Sequence, residues 1–232
     1  MISAEFVIGS LSARKVSVAD GYVTRLVKAA VLFAALFWLS PAAWAGEQVV
    51  LTYGDSLTAG YGLPAADGFV ARLQASLRQR GRDVRVRNGS VSGETTAGGR
   101  ARLAWTLTGQ IDLVILELGA NDVLRGIDPV ETRRNLDNIL TALRQRGLPV
   151  LLAGMRSPPN LGPIYAQAHN KIYPDLARGH GVTLYPFFLQ GVAARKALNQ
   201  ADGIHPNAAG VQVIVDAMTP YVLDLLDRKT GE

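Results

Sequence analysis

Short runs rich in Val, Leu and Ile alternate with longer amphipathic stretches from residue 49 onward, and this order constrains the fold more than any other feature. The runs lie at residues 49–53, 84–86, 113–118, 150–153 and 183–187. Such runs are typical of β-strands, and the nearly all-apolar runs at 113–118 and 150–153 are typical of strands covered on both faces. The pattern predicts five strands.

Amphipathic stretches between these runs predict helices. Apolar side chains recur every three or four residues before Gly81 and again before Gly147, where each glycine ends a helix. A last helix is expected at about residues 207–226, with a kink at Pro220. Repeated strand–helix order predicts an α/β fold, a three-layer α/β/α sandwich around a five-stranded parallel sheet with right-handed crossovers.

The amino-terminal segment has the pattern of a secretory signal. Arg25 and Lys28 precede an apolar run at residues 29–39, and Pro41 and Ala43-Trp44-Ala45 follow. We expect cleavage after Ala45, which leaves residues 46–232 as one domain. An uncleaved anchor is the alternative, but the run is shorter than the roughly 20 residues that a spanning helix needs.

Residues 1–24 make this segment longer than the usual ~15–30 residues of a signal peptide. A later translation start is therefore an alternative, and because no Met lies between Met1 and Met155, it would use another codon, such as that of Val23.

Composition excludes several classes of function. Cysteine is absent, so the chain has no disulfide, thiol nucleophile or lipid-modified Cys. Loss of residues 1–45 removes four basic and two acidic residues and lowers the net charge from +5 to +3. The remaining basic residues are scattered, which argues against nucleic-acid binding. We expect a periplasmic or secreted monomer without a stable membrane anchor.

Ser56 lies where the first predicted strand meets a helix, within Gly54-Asp55-Ser56-Leu57-Thr58-Ala59-Gly60. Ligands of parallel α/β sheets bind at this carboxyl edge. A helix N-cap is an equally good interpretation of this serine. A phosphate-binding loop and the lipase elbow Gly-x-Ser-x-Gly do not fit, because no Lys-Ser or Lys-Thr follows Gly60 and Thr58 replaces the second elbow glycine.

Asp202 and His205 precede the last predicted helix in the sequence Asp-Gly-Ile-His-Pro-Asn. A carboxylate three residues before an imidazole can bind its Nδ1–H and leave Nε2 free to take a proton from a hydroxyl. A local hydrogen bond in a turn is the alternative. The other two histidines, His169 and His180, have no comparable partner nearby in the sequence and are expected on the solvated surface.

Two further loops carry groups that could bind a developing negative charge. Asn121 follows the third strand, and Gly93 follows the second, where its N–H could turn inward. Alone, each is consistent with a cap or an ordinary turn. Together with Ser56 and the Asp–His pair, they place a hydroxyl, an amide, an N–H and a carboxylate–imidazole pair at one sheet edge.

In this order, Ser56, Gly93, Asn121 and His205 match the four residues that name the SGNH (GDSL) hydrolase family, which the chain resembles over nearly all of residues 46–232. Among its members, the resemblance is strongest to the small periplasmic bacterial enzymes described as thioesterase I, lysophospholipase and arylesterase. The matching blocks are Gly-Asp-Ser-Leu-Thr-Ala-Gly-Tyr-Gly (54–62), Gly-Ala-Asn-Asp (119–122) and Asp-Gly-Ile-His-Pro-Asn (202–207).

The resemblance implies a flavodoxin-like fold and a role for each matched residue. Ser56 would be the nucleophile, His205 the general base and Asp202 the carboxylate that orients the imidazole. The oxyanion hole would consist of the backbone N–H groups of Ser56 and Gly93 and the side-chain amide of Asn121.

In the family, the segment after the fourth strand lines the acyl site. Residues 155–163 occupy this position and contain three prolines, so we expect a stiff loop in which Pro158, Asn160 and Leu161 contact substrate. Asp55 adjoins Ser56, but neighbouring side chains at a strand end diverge, so a structural role is expected for it.

We expect a serine ester hydrolase that cleaves small acyl esters, thioesters or lysophospholipids through an acyl-enzyme. A metal is not expected, because the three histidines lie far apart and no set of residues has ligand spacing. A nicotinamide cofactor is not expected, since Gly-x-Gly-x-x-Gly is absent after the first strand. The alternatives are a carbohydrate O-acetyl esterase on the same fold and a non-catalytic lipid- or acyl-binding protein.

Overall fold

Five parallel strands form one sheet in the computed structural model, which describes residues 46–230. The predicted signal segment at residues 1–45 lies outside the described residues. The strands pair in the order β2-β1-β3-β4-β5, which confirms the predicted sheet. They are β1 (Gln48–Gly54), β2 (Val84–Asn88), β3 (Leu113–Glu117), β4 (Val150–Ala153) and β5 (Thr183–Tyr185).

Seven α-helices accompany the sheet within the described residues. They are α1 (Ser56–Ala59), α2 (Phe69–Gln79), α3 (Thr96–Thr106), α4 (Ala120–Leu124), α5 (Pro129–Gln145), α6 (Pro163–His180) and α7 (Ala208–Thr230). Helices α2 and α7 pack together, whereas α5 packs against α3 and α6. Because β2 and β3 lie on opposite sides of β1, right-handed crossovers place these two groups on opposite faces of the sheet. The two helix groups and the sheet between them form the three layers of the predicted sandwich.

Burial follows the polarity pattern of the strands. Every residue of β3 and β4 is buried, because helices cover both faces of the central sheet. Strand β2 lies at the sheet edge, where Val84 and Val86 are buried and Arg85 is exposed. Burial therefore explains both patterns: the central strands are apolar throughout because both of their faces are covered, and β2 alternates because it lies at the edge.

Helix α7 is longer than the predicted stretch and continues through Pro220 to residue 230. By length and hydropathy, residues 208–228 of this helix are the one stretch between residues 46 and 230 that could cross a bilayer, and half of that stretch is buried. Val215, Met218 and Val222 have no solvent exposure. This burial is that of a core helix packed against the sheet.

The strand order reverses at β1, since the chain passes first to β2 on one side and later to β3 on the other. At such a switch point, the loops after adjacent strands diverge and leave a crevice at the carboxyl edge. Helix α1 begins after β1 and α4 begins after β3, so both start at this crevice. The predicted site residues Ser56 and Asn121 lie in these two helices.

Candidate active site

Ser56 is the first residue of α1, but it does not cap the helix. Asp55 is the N-cap, and its Oδ1 accepts a hydrogen bond from the N–H of Leu57 at 3.0 Å. The helix ends after one turn at Gly60, whose φ of 86° closes it in the left-handed conformation. Because Asp55 provides the cap, the hydroxyl of Ser56 is left for other partners.

The Ser56 hydroxyl and the His205 imidazole are in hydrogen-bond contact. Ser56 Oγ lies 2.9 Å from His205 Nε2, and His205 Nδ1 lies 2.7 Å from Asp202 Oδ2. These distances lie within the range in which a base takes a proton from a hydroxyl. Residues 149 positions apart in the chain therefore form a hydroxyl–imidazole–carboxylate array.

Asp202 is held by its own turn. Its Oδ1 accepts hydrogen bonds from the backbone N–H groups of Ile204 at 2.9 Å and His205 at 3.0 Å, and Oδ2 remains for the imidazole. The hydrogen bond from the His205 backbone, followed by that from its ring, lowers the pKa of Asp202 to about 2. The carboxylate is therefore ionised at neutral pH and favours the tautomer that carries hydrogen on Nδ1.

Tyr61 packs against the imidazole, with 4.6 Å between the ring centroids of Tyr61 and His205. The side chain of Gln200 joins the two loops, because its Nε2 donates to the carbonyl oxygens of Tyr61 at 2.8 Å and Pro206 at 3.0 Å. No role for Tyr61 was predicted from the sequence, although this residue lies in the block 54–62.

Three residues that carry candidate oxyanion donors line the same cleft: Ser56 and Gly93 with their backbone N–H groups, and Asn121 with its side-chain amide. Gly93 has a φ of 80°, and its carbonyl oxygen accepts a hydrogen bond from Arg125 Nη2 at 2.8 Å. Within residues 46–230, neither backbone N–H donates to another group of the chain. Both are therefore available to a ligand.

Asn121 is positioned by its neighbours on α4. Its Nδ2 donates to Asp55 Oδ2 at 3.1 Å, and since an amide nitrogen carries two hydrogens, the second remains for a ligand. The next residue, Asp122, is buried and accepts a hydrogen bond from the backbone N–H of Thr96 at 2.8 Å. This contact ties the start of α4 to that of α3.

Gly119 permits the sharp turn between β3 and α4. Its φ is 115°, and a Cβ at this position would lie 2.1 Å from the hydroxyl oxygen of Tyr173. That hydroxyl donates to the carbonyl oxygen of Leu118 at 2.9 Å. A glycine is therefore required for Asn121 to reach the cleft.

A pair of buried carboxyl groups lies behind these residues. Glu117 Oε2 accepts hydrogen bonds from the N–H of Asp55 at 3.2 Å and from the Thr58 hydroxyl at 3.1 Å. Burial, followed by the neighbouring charge of Asp55, raises the pKa of Glu117 well above its usual value. Burial also raises the pKa of Asp55, to about 6. Glu117 therefore retains its proton at a pH at which Asp55 has lost its own.

The cleft has a volume of about 690 Å³ and a predominantly apolar lining. Its lining comes from the segments after all five strands and from the His205 loop. The apolar members include Leu57, Val123, Leu124, Met155, Pro158, Phe187, Leu189 and Ile204. A long apolar group could therefore extend from the Ser56 hydroxyl along the sheet edge.

Of the three residues predicted to contact substrate, Pro158 lines the cleft, whereas Asn160 and Leu161 do not. The backbone of Pro158 is extended, and a 3₁₀ turn at Pro159–Leu161 then leads the chain into α6. Asn160 is exposed on this turn and Leu161 is half-buried. Substrate contact by these two residues stays a prediction, since they lie on the turn next to the cleft lining rather than in it.

The two other histidines are not on the solvated surface. His169 is fully buried between Tyr165 and Tyr173 on α6, and burial lowers its pKa. His180 lies at the end of the same helix with its Nε2 2.7 Å from Asp137 Oδ1 on α5. Neither contacts the cleft. Within the described part of the chain, no cluster of His, Cys, Asp or Glu has the arrangement of a metal site.

An α/β/α sandwich with a hydroxyl, an imidazole and a carboxylate in line at its switch point defines a serine hydrolase. Residues 52–213 match the GDSL-like Lipase/Acylhydrolase family. The chain therefore belongs to this family and is a hydrolase, which confirms the family and the fold expected from the four matching residues.

Known relatives cover nearly the whole of the described chain. Esterase TesA of Pseudomonas aeruginosa is 42% identical over 183 residues, 78% of this chain and 91% of the relative. Thioesterase 1/protease 1/lysophospholipase L1 of Escherichia coli is 37% identical over 185 residues, 79% and 88% of the two chains. The crystal structure of AlinE4, an SGNH-hydrolase family esterase, is 44% identical with a TM-score of 0.67 and covers 78% of this chain and 98% of its own.

Proposed function

We propose that this chain hydrolyses acyl esters and thioesters through an acyl-enzyme on Ser56. The observation that supports the proposal most directly is the 2.9 Å contact between Ser56 Oγ and His205 Nε2 at the floor of an apolar cleft. Asp202 is ionised behind the imidazole, so it can hold the ring in the tautomer whose Nε2 accepts the Ser56 proton.

In the proposed reaction, Ser56 Oγ attacks the carbonyl carbon while His205 Nε2 takes the hydroxyl proton. The N–H groups of Ser56 and Gly93 and the amide of Asn121 donate to the negative oxygen of the tetrahedral intermediate. His205 then gives the proton to the leaving alcohol or thiol, and the carbon–oxygen or carbon–sulfur bond breaks. Water repeats the sequence on the acyl-enzyme and releases the acid.

We propose lysophospholipids, aryl esters and fatty-acyl thioesters as substrates. The apolar lining supports a fatty-acyl chain, and relatives bear the names arylesterase and thioesterase 1/protease 1/lysophospholipase L1. A sugar would need several hydrogen-bonding side chains, which this lining offers sparingly, so a carbohydrate O-acetyl esterase is less well supported. The intact array argues against a non-catalytic binding protein.

A burst experiment tests the proposal. Stopped-flow mixing of residues 46–232 with p-nitrophenyl octanoate should release about one equivalent of p-nitrophenol per enzyme before steady turnover. Ser56→Ala should abolish both phases. Thr141→Ala removes an exposed hydroxyl from the outer face of α5 and should keep both. Turnover by the Ser56→Ala variant at the wild-type rate would refute the proposal.

We also propose that the protein is exported, that residues 1–45 are removed, and that the product is a periplasmic or secreted monomer. The sequence pattern of residues 25–45 and the absence of cysteine support this proposal. Amino-terminal sequencing of the protein from its source organism should yield Gly46, and light scattering should give the mass of one chain. Recovery of the intact chain in the membrane fraction would contradict it.

A further inference from the structure

The carboxylate of Asp55 contacts the predicted oxyanion donor Asn121 and is not part of the cleft lining. Asp55 is fully buried, and its two oxygens have different partners. Oδ1 accepts from the N–H of Leu57 at 3.0 Å and caps α1, whereas Oδ2 accepts from Asn121 Nδ2 at 3.1 Å. The second contact crosses from β1 to the helix after β3.

An oxyanion donor contributes most when it is in place before the charge forms. The oxygen and nitrogen of an Asn side chain have nearly the same shape, so packing alone does not select which of them faces the cleft. An ionised carboxylate only accepts hydrogen bonds, so Asp55 selects the orientation in which Asn121 Nδ2 is shared between Asp55 and the cleft.

Glu117 helps to keep Asp55 in its ionised form. It lies against the backbone N–H of Asp55, and Thr58 donates to the same Glu117 oxygen. Two adjacent buried carboxyl groups do not both ionise readily. Both oxygens of Asp55 accept hydrogen bonds that stabilise its charge, whereas Glu117 Oε1 has no hydrogen-bond partner among the described residues, so Glu117 retains the proton. With the proton on Glu117, the charge remains on Asp55, next to the Asn121 amide.

We propose that Asp55 is a positioning residue of the oxyanion hole, whose carboxylate holds the Asn121 amide with one N–H directed at the scissile carbonyl oxygen. The inference rests on the proposed function. It differs from a purely structural role because the contribution of Asp55 to the rate passes through a single side chain, that of Asn121.

A double-mutant cycle with Asp55→Asn and Asn121→Ala tests this coupling. Asn has one acceptor oxygen, so the Asp55→Asn variant cannot serve both Leu57 and Asn121. We expect it to lower kcat about 10-fold with KM within about 2-fold, and Asn121→Ala to lower kcat on the order of 10²–10³-fold. In the double variant, kcat should lie within about 3-fold of the Asn121→Ala value, because the coupled donor is already absent.

Asp128→Asn is the matched control, because Asp128 caps α5 through the same contact, with its Oδ1 2.9 Å from the N–H of Val130. Its kcat should equal that of the wild type. If the two losses multiply in the double variant, Asp55 acts independently of Asn121 and the proposal is wrong. Turnover by Ser56→Ala at the wild-type rate would instead refute the proposed function, so the two failures are distinguishable. Thermal unfolding of each variant checks folding.

A second inference concerns Arg156, the one Lys or Arg among the cleft-lining residues of the described chain. Its guanidinium carbon lies 5.1 Å from the centroid of the Phe187 ring, which also lines the cleft. No carboxylate of residues 46–230 lies within ion-pairing distance of this guanidinium. The aromatic contact holds the side chain in place while its N–H donors remain available.

Arg156 follows β4, and in the sheet order β4 is the second strand from β1, which ends next to Ser56. Strands lie about 4.8 Å apart, so the base of Arg156 is roughly 10 Å from that of Ser56 along the sheet edge. The geometry points to Arg156 as a subsite for an anionic group, a phosphate or a carboxylate, on an ester substrate bound at Ser56. This inference also rests on the proposed function.

Two matched substrate pairs test the subsite. The first pair is oleoyl lysophosphatidic acid and 1-monooleoylglycerol, which differ in the phosphate of the leaving group. The second is the mono-p-nitrophenyl ester of azelaic acid and its terminal methyl ester, which differ in a carboxylate on the acyl side. We expect the wild type to prefer the anionic member of at least one pair about 10-fold in kcat/KM.

The preference should disappear in Arg156→Gln and be partly retained in Arg156→Lys, whereas Arg134→Gln, on the exposed face of α5, should keep it. The pair that responds identifies whether a phosphate or a carboxylate is bound. An equal ratio in the wild type and in Arg156→Gln for both pairs would overturn the subsite, while hydrolysis of the neutral esters would still support the proposed function.

Discussion

Asp202→Asn is the substitution that most directly tests the proposed mechanism, because it preserves the shape of the turn and reverses one hydrogen bond. Asn Oδ1 can still accept from the N–H groups of Ile204 and His205. The amide nitrogen, however, replaces the oxygen that lies 2.7 Å from His205 Nδ1 and donates to the ring. The proton moves to Nε2, which can then no longer accept the proton of Ser56.

The expected loss can be worked from this contact. A carboxylate and an imidazolium about 4 Å apart between charge centres attract by about 4 kcal/mol at an effective dielectric of about 20, or about 10³-fold in rate. The Asp202 side chain is 39% exposed, so water screens part of this attraction. We therefore expect kcat to fall about 10²–10³-fold, less than the roughly 10⁴-fold typical of a triad with a buried aspartate.

The assay is steady-state hydrolysis of p-nitrophenyl octanoate, and the loss should appear in kcat with KM nearly unchanged. Asp224→Asn, which removes a carboxylate paired with Arg228 on α7, is the control and should keep both parameters. A kcat for Asp202→Asn within about 3-fold of the wild type would show that Asp202 does not orient His205.

Three further predictions concern the surroundings of the site. Burial raises the pKa of Asp55 from the ordinary 3.8 to about 6, so its contribution to stability is present below pH 4 and is lost as the pH rises through 6. Relative to Asp55→Asn, the free energy of unfolding of the wild type should fall by roughly 2 kcal/mol from pH 4 to pH 7 in urea titrations. Gly119→Ala should destabilise the fold by about 1–3 kcal/mol and lower kcat, because the added Cβ meets the Tyr173 hydroxyl. Tyr61→Ala should lower kcat up to about 10-fold through loss of its contact with His205.

Each of these predictions has a control or a contradicting result. Asp216→Asn changes an exposed carboxylate of α7, and its stability should follow the wild-type pH dependence; an Asp55→Asn variant that also follows it would contradict the first prediction. Gly126→Ala places a Cβ in open space at a φ of 64° and should cost less than Gly119→Ala. Unchanged kcat in Tyr61→Ala would show that the ring contact does not hold the imidazole.

The apolar periodicity was sufficient to predict the sheet because burial in a parallel α/β sheet depends on short-range pattern. Strand β4 coincides with the predicted run at residues 150–153, and its unbroken apolar sequence follows from cover on both faces. Strand β5 ends at Tyr185, two residues before the predicted end. The next residue is Pro186, which has no N–H to extend the pairing.

The predictions that failed depended on packing between separate elements. His169 lies on the apolar face of α6 with Ile172, Tyr173 and Leu176, and that helical spacing was a signal that could have indicated its burial. The contact of His180 with Asp137 joins residues 43 positions apart and has no local signal. Asn160 and Leu161 lie on the 3₁₀ turn before α6, and proline content alone does not reveal whether the residues of this turn reach the cleft.

By itself, the sequence determined the strand–helix order, the residue types on the loops and their resemblance to a hydrolase family, because periodicity and motifs are local properties. Only the tertiary structure decided which of those residues meet. Ser56 and His205 are 149 positions apart, and Asp55 and Asn121 are 66 apart. Their contacts depend on the pairing of β1 with β3 and on the return of the chain to this edge before α7, and these long-range arrangements are set by packing of the whole core.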